Sequence, residues 1–231
     1  MDSFQRARTE EQREHRRQVL LDTAAGMLAE MPVAAVSLNE LSRRVGLAKS
    51  NVLRYYESRE AILLELLGAE LRAWLVALIQ ETAHLTDGSF RERSSRLVAA
   101  VTTTLEARTI LCDLLSSHAA VLERNVSTEV ALRHKRAMHQ TVSEIGSVVT
   151  TVLPELTHDD GFEFAAVTIL TVTAAWPHST PTPALQAAYA ADPAVAEMQM
   201  NFSDIVTRPL VLTLAGLRSE RAVHPAPESN D

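Results

Sequence analysis

"SLNELSRRVGLAKSNVLRYYESRE", residues 37–60, holds two helix starts, a turn that ends on glycine and two of the chain's three tyrosines within 24 positions. Ser37 and Glu40 have capping-box spacing, in which the hydroxyl accepts from one backbone N–H and the carboxylate reaches back to another. Leu38, Leu41 and Val45 follow at helical spacing, and Gly46 closes this short helix. The next helix opens near Ala48 and carries Val52 and Tyr56 one turn apart. Ser58 caps the one after, with Glu60 in a first turn where the helix dipole favours an acid. Two short helices across a tight glycine turn, the second opening on polar residues, are the pattern of a helix-turn-helix.

In this pattern Leu38, Leu41, Val45, Leu47, Val52 and Tyr56 point inward and fix the angle between the helices. Lys49, Ser50, Asn51, Leu53, Arg54 and Tyr55 form the remaining surface, with Ala48 and Ser50 small enough for close approach to a major groove. Lys49 and Asn51 suit base edges; Arg54, Tyr55 and Arg59 lie where phosphate contacts would position the unit. Ser37 leaves backbone N–H groups at a positive helix end, a phosphate site. The alternative is that Ser37 and Ser58 are caps and nothing more.

The rest of the chain sets the class. Its 231 residues are 46% hydrophobic, 4% aromatic and only 7 are glycine, and mean hydropathy is zero. Strand-type runs are few, so the expected class is all-α. The formal charge of −7 argues against a uniform polyanion binder. Residues 1–59, however, carry ten Lys/Arg against eight Asp/Glu, a net +2, and the remainder carries −9. Cys112 is the only cysteine, which excludes an intrachain disulfide and suits a reducing cytoplasm. The N-terminus alternates charges where a signal peptide needs an apolar stretch. The run "FAAVTILTVTAAW" (164–176) is 13 residues, too short to span a bilayer.

Thr9 and Gln12 form another capping-box pair, and Leu20, Ala24, Met27, Leu28 and Met31 give a first helix over about 10–31, before Pro32. Ser58 opens a connecting helix over 58–83, about 39 Å long. "HLTDGSF" (84–90) breaks the pattern, and helices are expected over 90–106, 109–123, 127–153 and 160–176, the last stopping at Pro177. One short helical piece fits between "PHSTPTPA" and "AADPAVAE", and a final helix over 201–218 contains Pro209. The expected domains are therefore 1–57, a connecting helix at 58–83, a second domain over 84–218 and a disordered tail over 219–231.

"VGLAKSNVLRYYESREAILLELL" resembles the TetR family of transcriptional regulators, whose recognition helix pairs a small residue and Lys with an aliphatic and aromatic residues before helix four. The resemblance covers residues 10 to about 70; beyond that only the helical layout and length agree. It implies a homodimer whose N-terminal heads bind double-stranded DNA at a palindromic operator and whose C-terminal bundle takes a small-molecule effector. Leu53 departs from the pattern, standing where many relatives place a phosphate-contacting Tyr, so apolar contact with a thymine methyl replaces that bond or the contact is lost. Arg59 replaces the usual Lys, keeping the charge and adding bidentate capacity. Arg6, Arg8, Arg13, Arg16 and Arg17 could track the DNA backbone, or with Glu10, Glu11 and Glu14 form a solvated helix start. The resemblance also implies a dimer interface of two late helices from each subunit, and a pocket for which Leu111, Leu115, Met138, Val142, Phe164, Thr168 and Trp176 are candidates.

Catalytic and metal chemistry finds little support. His134 and His139 are five apart, about 140° round an α-helix, and do not share a ligating face. Cys112 and His118 also diverge, and "HDD" (158–160) reads as a helix-start cluster. No catalytic residue, cofactor, metal or membrane partner is expected. The expected function is a repressor released by a small molecule, with a ligand-binding or interaction bundle carrying a vestigial helix-turn-helix as the alternative.

Overall fold

The computed structural model describes the backbone of residues 2–223 and the side chains of residues 10–221. These residues form eleven α-helices and no strand. Three of them, α1 (Asp2–Glu30), α2 (Leu38–Arg44) and α3 (Lys49–Val52), make the head. Helix α4 (Arg59–Thr82) follows, then α5 (Phe90–Glu106), α6 (Thr109–Ser117), α7 (Thr128–Val152) and α8 (His158–Ser179). Two short helices, α9 (Pro183–Ala191) and α10 (Pro193–Ala196), lie on the surface with no buried residue, and α11 (Phe202–Val223) ends the described chain.

Helix boundaries follow local chemistry. Ser58 Oγ accepts from the Ala61 N–H (3.1 Å) at the start of α4, and Ser89 forms a reciprocal capping box with Glu92 at the start of α5. Thr157 and Asp160 form another at α8. Four expectations change. Helix α1 starts at Asp2, so Thr9 is inside it and is not a cap; the Gln-, Arg- and Glu-rich stretch has the propensity to continue the helix. The helix expected over 109–123 ends at Ser117 and gives way to one π-helical turn, His118–Leu122. Pro177 does not stop α8, which runs on to Ser179; the ring costs the bond that Thr173 O would accept, and the end is held instead by the Thr180 N–H (3.1 Å) and hydroxyl (2.7 Å), both donating to Trp176 O. Residues 219–223 are helical, because α11 continues and Arg221 is fastened to Asp160 by bonds of 2.8 and 3.0 Å. The rest of the expected tail, 224–231, lies outside the described residues.

One apolar core runs from the head into the bundle. Helix α4 is the shared element. Ala61, Ile62, Leu63, Leu64, Leu66 and Leu67 are all buried near its start, so that half is covered on nearly every face. Further along, Trp74 is fully buried and donates its indole N–H to Thr104 Oγ1 at 3.0 Å. Two polar contacts also join head and bundle. The Val33 N–H donates to Asp113 Oδ2 of α6 (2.8 Å), and the Ser127 N–H, just before α7, donates to Glu57 Oε1 (2.5 Å).

Candidate nucleic-acid interface

The turn between α2 and α3 is set by backbone bonds. Gly46 has φ +66°, the Leu47 N–H donates to Ser42 O (3.0 Å) and the Gly46 N–H to Arg43 O (3.3 Å). This is the Schellman arrangement, which needs a residue in the left-handed region. Leu41, Val52 and Tyr56 are buried, and Leu38, Val45 and Leu47 pack against them, as the spacing required. Ser37 Oγ accepts from the Glu40 N–H (3.2 Å), but the reciprocal half of the expected box is missing. The Glu40 carboxylate turns to Arg43 (2.6 Å) and Arg44 (2.9 Å), and Arg44 reaches Glu30 at 2.7 Å. These bonds tie α2 to the end of α1, and those to Arg43 and then Arg44 hold the Glu40 carboxyl down at about 2.

Helix α3 is only one turn long, and Leu53 to Tyr55 continue as further tight turns. Ala48, Lys49, Ser50, Asn51, Leu53 and Arg54 are all exposed, with Leu53 at 42% despite its apolar side chain. Ser37 is exposed on the same motif, and Tyr55 is half-buried. Arg54 and Tyr55 also wall a cleft of about 830 Å³ with Glu11, Gln12, Arg13, His15 and Arg16 of α1. Of the N-terminal arginines, Arg13 and Arg16 therefore adjoin the motif, whereas the side chains of Arg6 and Arg8 lie outside the described residues.

Two other arginines are used inside the protein. Arg17 pairs with Glu65, donates to Tyr55 O (3.1 Å) and lies over the Tyr56 ring at 4.4 Å. Tyr56 in turn donates to Glu65 Oε1 at 3.0 Å. Burial first, then the Glu65 charge, drives the Tyr56 hydroxyl far above its ordinary pKa, so it remains a donor. Arg59 donates to Val36 O (2.8 Å) and to Glu60 Oε1 (2.9 Å), which fixes the residue preceding the Ser37 cap. Nothing in the sequence spacing announced these partners, since Arg17 and Glu65 are 48 residues apart and Arg59 and Val36 are 23 apart.

A sequence profile described as "Bacterial regulatory proteins, tetR family" matches residues 20–66, and one described as "Tetracyclin repressor-like, C-terminal domain" matches residues 68–221. The chain belongs to the TetR family. It is a transcriptional regulator with an N-terminal DNA-binding domain and a C-terminal ligand-binding domain of the TetR kind. Solved structures share the fold. A possible TetR family transcriptional regulator from Streptomyces coelicolor A3(2) is 18% identical, with a TM-score of 0.57 over 89% of this chain and 100% of its own. The fatty acid degradation regulator FadR from Bacillus halodurans is 14% identical, with a TM-score of 0.52 over 87% and 99%. A protein of unknown function from Rhodococcus sp. RHA1 is 21% identical, with a TM-score of 0.51 over 87% and 94%. No curated protein matches the sequence significantly.

The candidate effector residues of this TetR chain come from α6, α7 and α8. Leu111, Leu115, Phe164 and Thr168 are almost fully buried and Val142 nearly so, while Met138 and Trp176 are half-buried. Trp176 stands at a separate cleft of about 560 Å³ with Phe202 and Met200. A more apolar cleft of about 470 Å³ opens between α4 and α7, walled by Leu75, Ile79, Val148 and Val152. Among the described residues no helix is long and apolar enough to cross a membrane.

Proposed function

We propose that this TetR regulator is a cytoplasmic repressor that binds a palindromic operator as a homodimer and is released by a small-molecule effector. The observation that carries the reading is the exposed polar run Lys49, Ser50 and Asn51, held on a turn made rigid by Gly46 and by the buried Leu41, Val52 and Tyr56. Lys49 and Asn51 reach base edges, Ala48 and Ser50 allow close approach, and Leu53 meets an apolar base edge such as a thymine methyl. Ser37, Arg54 and Tyr55 hold phosphates, with Arg13 and Arg16 alongside. Arg59 acts through Val36, keeping the Ser37 end of α2 in register.

The dimer surface is assigned to α8 and α11. They pack on each other and still leave Leu170 (69% exposed) and Leu212 (57%) in solvent. An isologous pairing there sets two recognition segments about 34 Å apart, one per half-site. The effector is assigned to the α6, α7 and α8 interior, walled by Leu111, Leu115, Met138, Val142, Phe164, Thr168 and Trp176. Because this region is close-packed, a ligand must part α6 from its neighbours, and Asp113 on α6 holds Val33 of the head. Effector binding therefore weakens DNA binding, and DNA weakens effector binding by the same factor.

Anisotropy titration with duplexes selected from random sequence, at several salt concentrations, tests this. A palindromic consensus with a steep salt slope is the expected result. No enrichment over random duplex would reject DNA recognition and leave a ligand-binding bundle with a vestigial motif.

A further inference from the structure

The π-helical turn that follows α6 assembles a side-chain cluster that spacing rules for an α-helix exclude. The Glu123 N–H donates to His118 O at 3.2 Å, a bond between residues five apart that brings both onto one side. His134, from the second turn of α7, completes the group. Its Nε2 lies 2.7 Å from His118 Nε2, and Glu123 Oε1 lies 2.8 Å from that same His118 nitrogen. Ligating atoms of all three residues fall within 4.8 Å of one another. The side chains are sheltered, with exposures of 13% for His118 and 24% for Glu123, and His134 is buried. His139 is elsewhere, against Phe162.

We propose that His118, Glu123 and His134 form a binding site for a divalent first-row transition-metal ion, of the zinc or cobalt class. Two imidazoles and one carboxylate suit such ions and leave a fourth position for water or a ligand atom. Ordinary bond lengths of about 2.0–2.1 Å to nitrogen put two tetrahedral ligands about 3.3 Å apart, so the imidazoles, now at 2.7 Å, separate by about 0.6 Å while the widest pair of the cluster, within 4.8 Å, closes. The two Nε2 atoms at 2.7 Å are joined through one shared proton, which an ion would displace as it takes both lone pairs.

Two further features favour a cation here. Glu123 Oε1 is buried between the Lys135 ammonium at 2.6 Å and His118 Nε2 at 2.8 Å, so the oxygen beside the two imidazoles already holds a positive charge. Lys135 is 58% exposed and sits at the carboxylate as a substitute cation that can swing into solvent. Its removal frees Glu123 for the ion. The bound ion would join α7 to the turn ending α6, the helix that also holds Val33 of the head.

The test uses the full chain, stripped of metal with a chelator and desalted. Co2+ is titrated while its visible d–d absorption is followed, and Zn2+ is then competed against a chromogenic chelator. One Co2+ per chain, displaced by Zn2+, is expected. His118→Ala and His134→Ala are expected to weaken binding at least about 10-fold, Lys135→Ala to tighten it several-fold, and the exposed control His158→Ala to leave it unchanged. Absence of the absorption band at excess Co2+, or wild-type affinity in helical, cooperatively melting His118→Ala and His134→Ala proteins, would overturn the site. Equal or weaker binding in Lys135→Ala would overturn the role of Glu123, without bearing on operator binding.

Discussion

Gly46 is where one residue decides the geometry of the head. Its φ of +66° is strained for any residue with a Cβ, yet a methyl there would meet no atom within 4 Å. Gly46→Ala therefore isolates the backbone cost, about 1 kcal/mol, or a fall in melting temperature of about 2–4 °C. A change below 0.5 °C would show that the turn relaxes into another conformation. Lys49 and Asn51 present the opposite case, their side chains exposed and with no side-chain bond among the described residues. The double variant Lys49→Ala, Asn51→Ala is expected to melt like the parent and to lose at least about 10-fold in affinity for the selected operator, with its sequence preference flattened. Retained preference in the anisotropy titration would remove base reading from this surface. Glycine and the polar run were legible because both act through immediate neighbours. The inward turn of Arg59 was not, because the Val36 carbonyl that receives it is placed by the fold.

Helices α7 and α8 cross at two glycines. A methyl on Gly146 would lie 2.8 Å from the Gly161 carbonyl carbon, and one on Gly161 would lie 2.5 Å from Gly146 O, both against backbone that cannot swing aside. Gly161→Ala is expected to force the pair apart at a cost of about 1–3 kcal/mol, read as a lower urea midpoint. An unchanged midpoint would mean the crossing is not tightly held. One residue before Gly161, Asp160 caps α8 and binds Arg221 of α11. Burial would raise its carboxyl, but the Arg221 and Thr157 bonds outweigh that and hold it below the ordinary range. A carboxyl depressed in the folded state contributes stability that is present above the ordinary aspartate pKa and lost as pH falls through the folded value. Asp160→Asn is expected to cost about 2 kcal/mol at neutral pH and to lose less than the parent on acidification. Parallel stability curves for the two proteins from neutral to acid pH would refute the assignment. "HDD" announced the cap in the sequence, but not the arginine 61 residues away that extends α11 past the expected end at 218. The π turn was hidden for a related reason, since helical spacing separates His118 from Glu123 and only the altered turn reunites them.

For the molecule as a whole, the charge asymmetry and the uncovered apolar residues both fit the proposed dimer. Recognition segments on a slightly basic head gain affinity when a two-fold axis presents two of them together, and the acidic remainder keeps the bundles off the phosphates. Leu170 on α8 and Leu212 on α11 are the exposed residues on which the proposed pairing rests. Because both are exposed in the single chain, Leu170→Glu with Leu212→Glu is expected to fold as well as the parent. Across a two-fold axis it places buried like charges, and sedimentation is expected to change from dimer to monomer. Operator affinity is expected to fall by at least about 100-fold because the effective-concentration gain is lost, while the weak binding to an isolated half-site is unchanged. The two readouts separate pairing from recognition: a double variant that still sediments as a dimer would place the interface elsewhere, and one that is monomeric yet binds the full operator with parental affinity would dissociate recognition from two-fold symmetry.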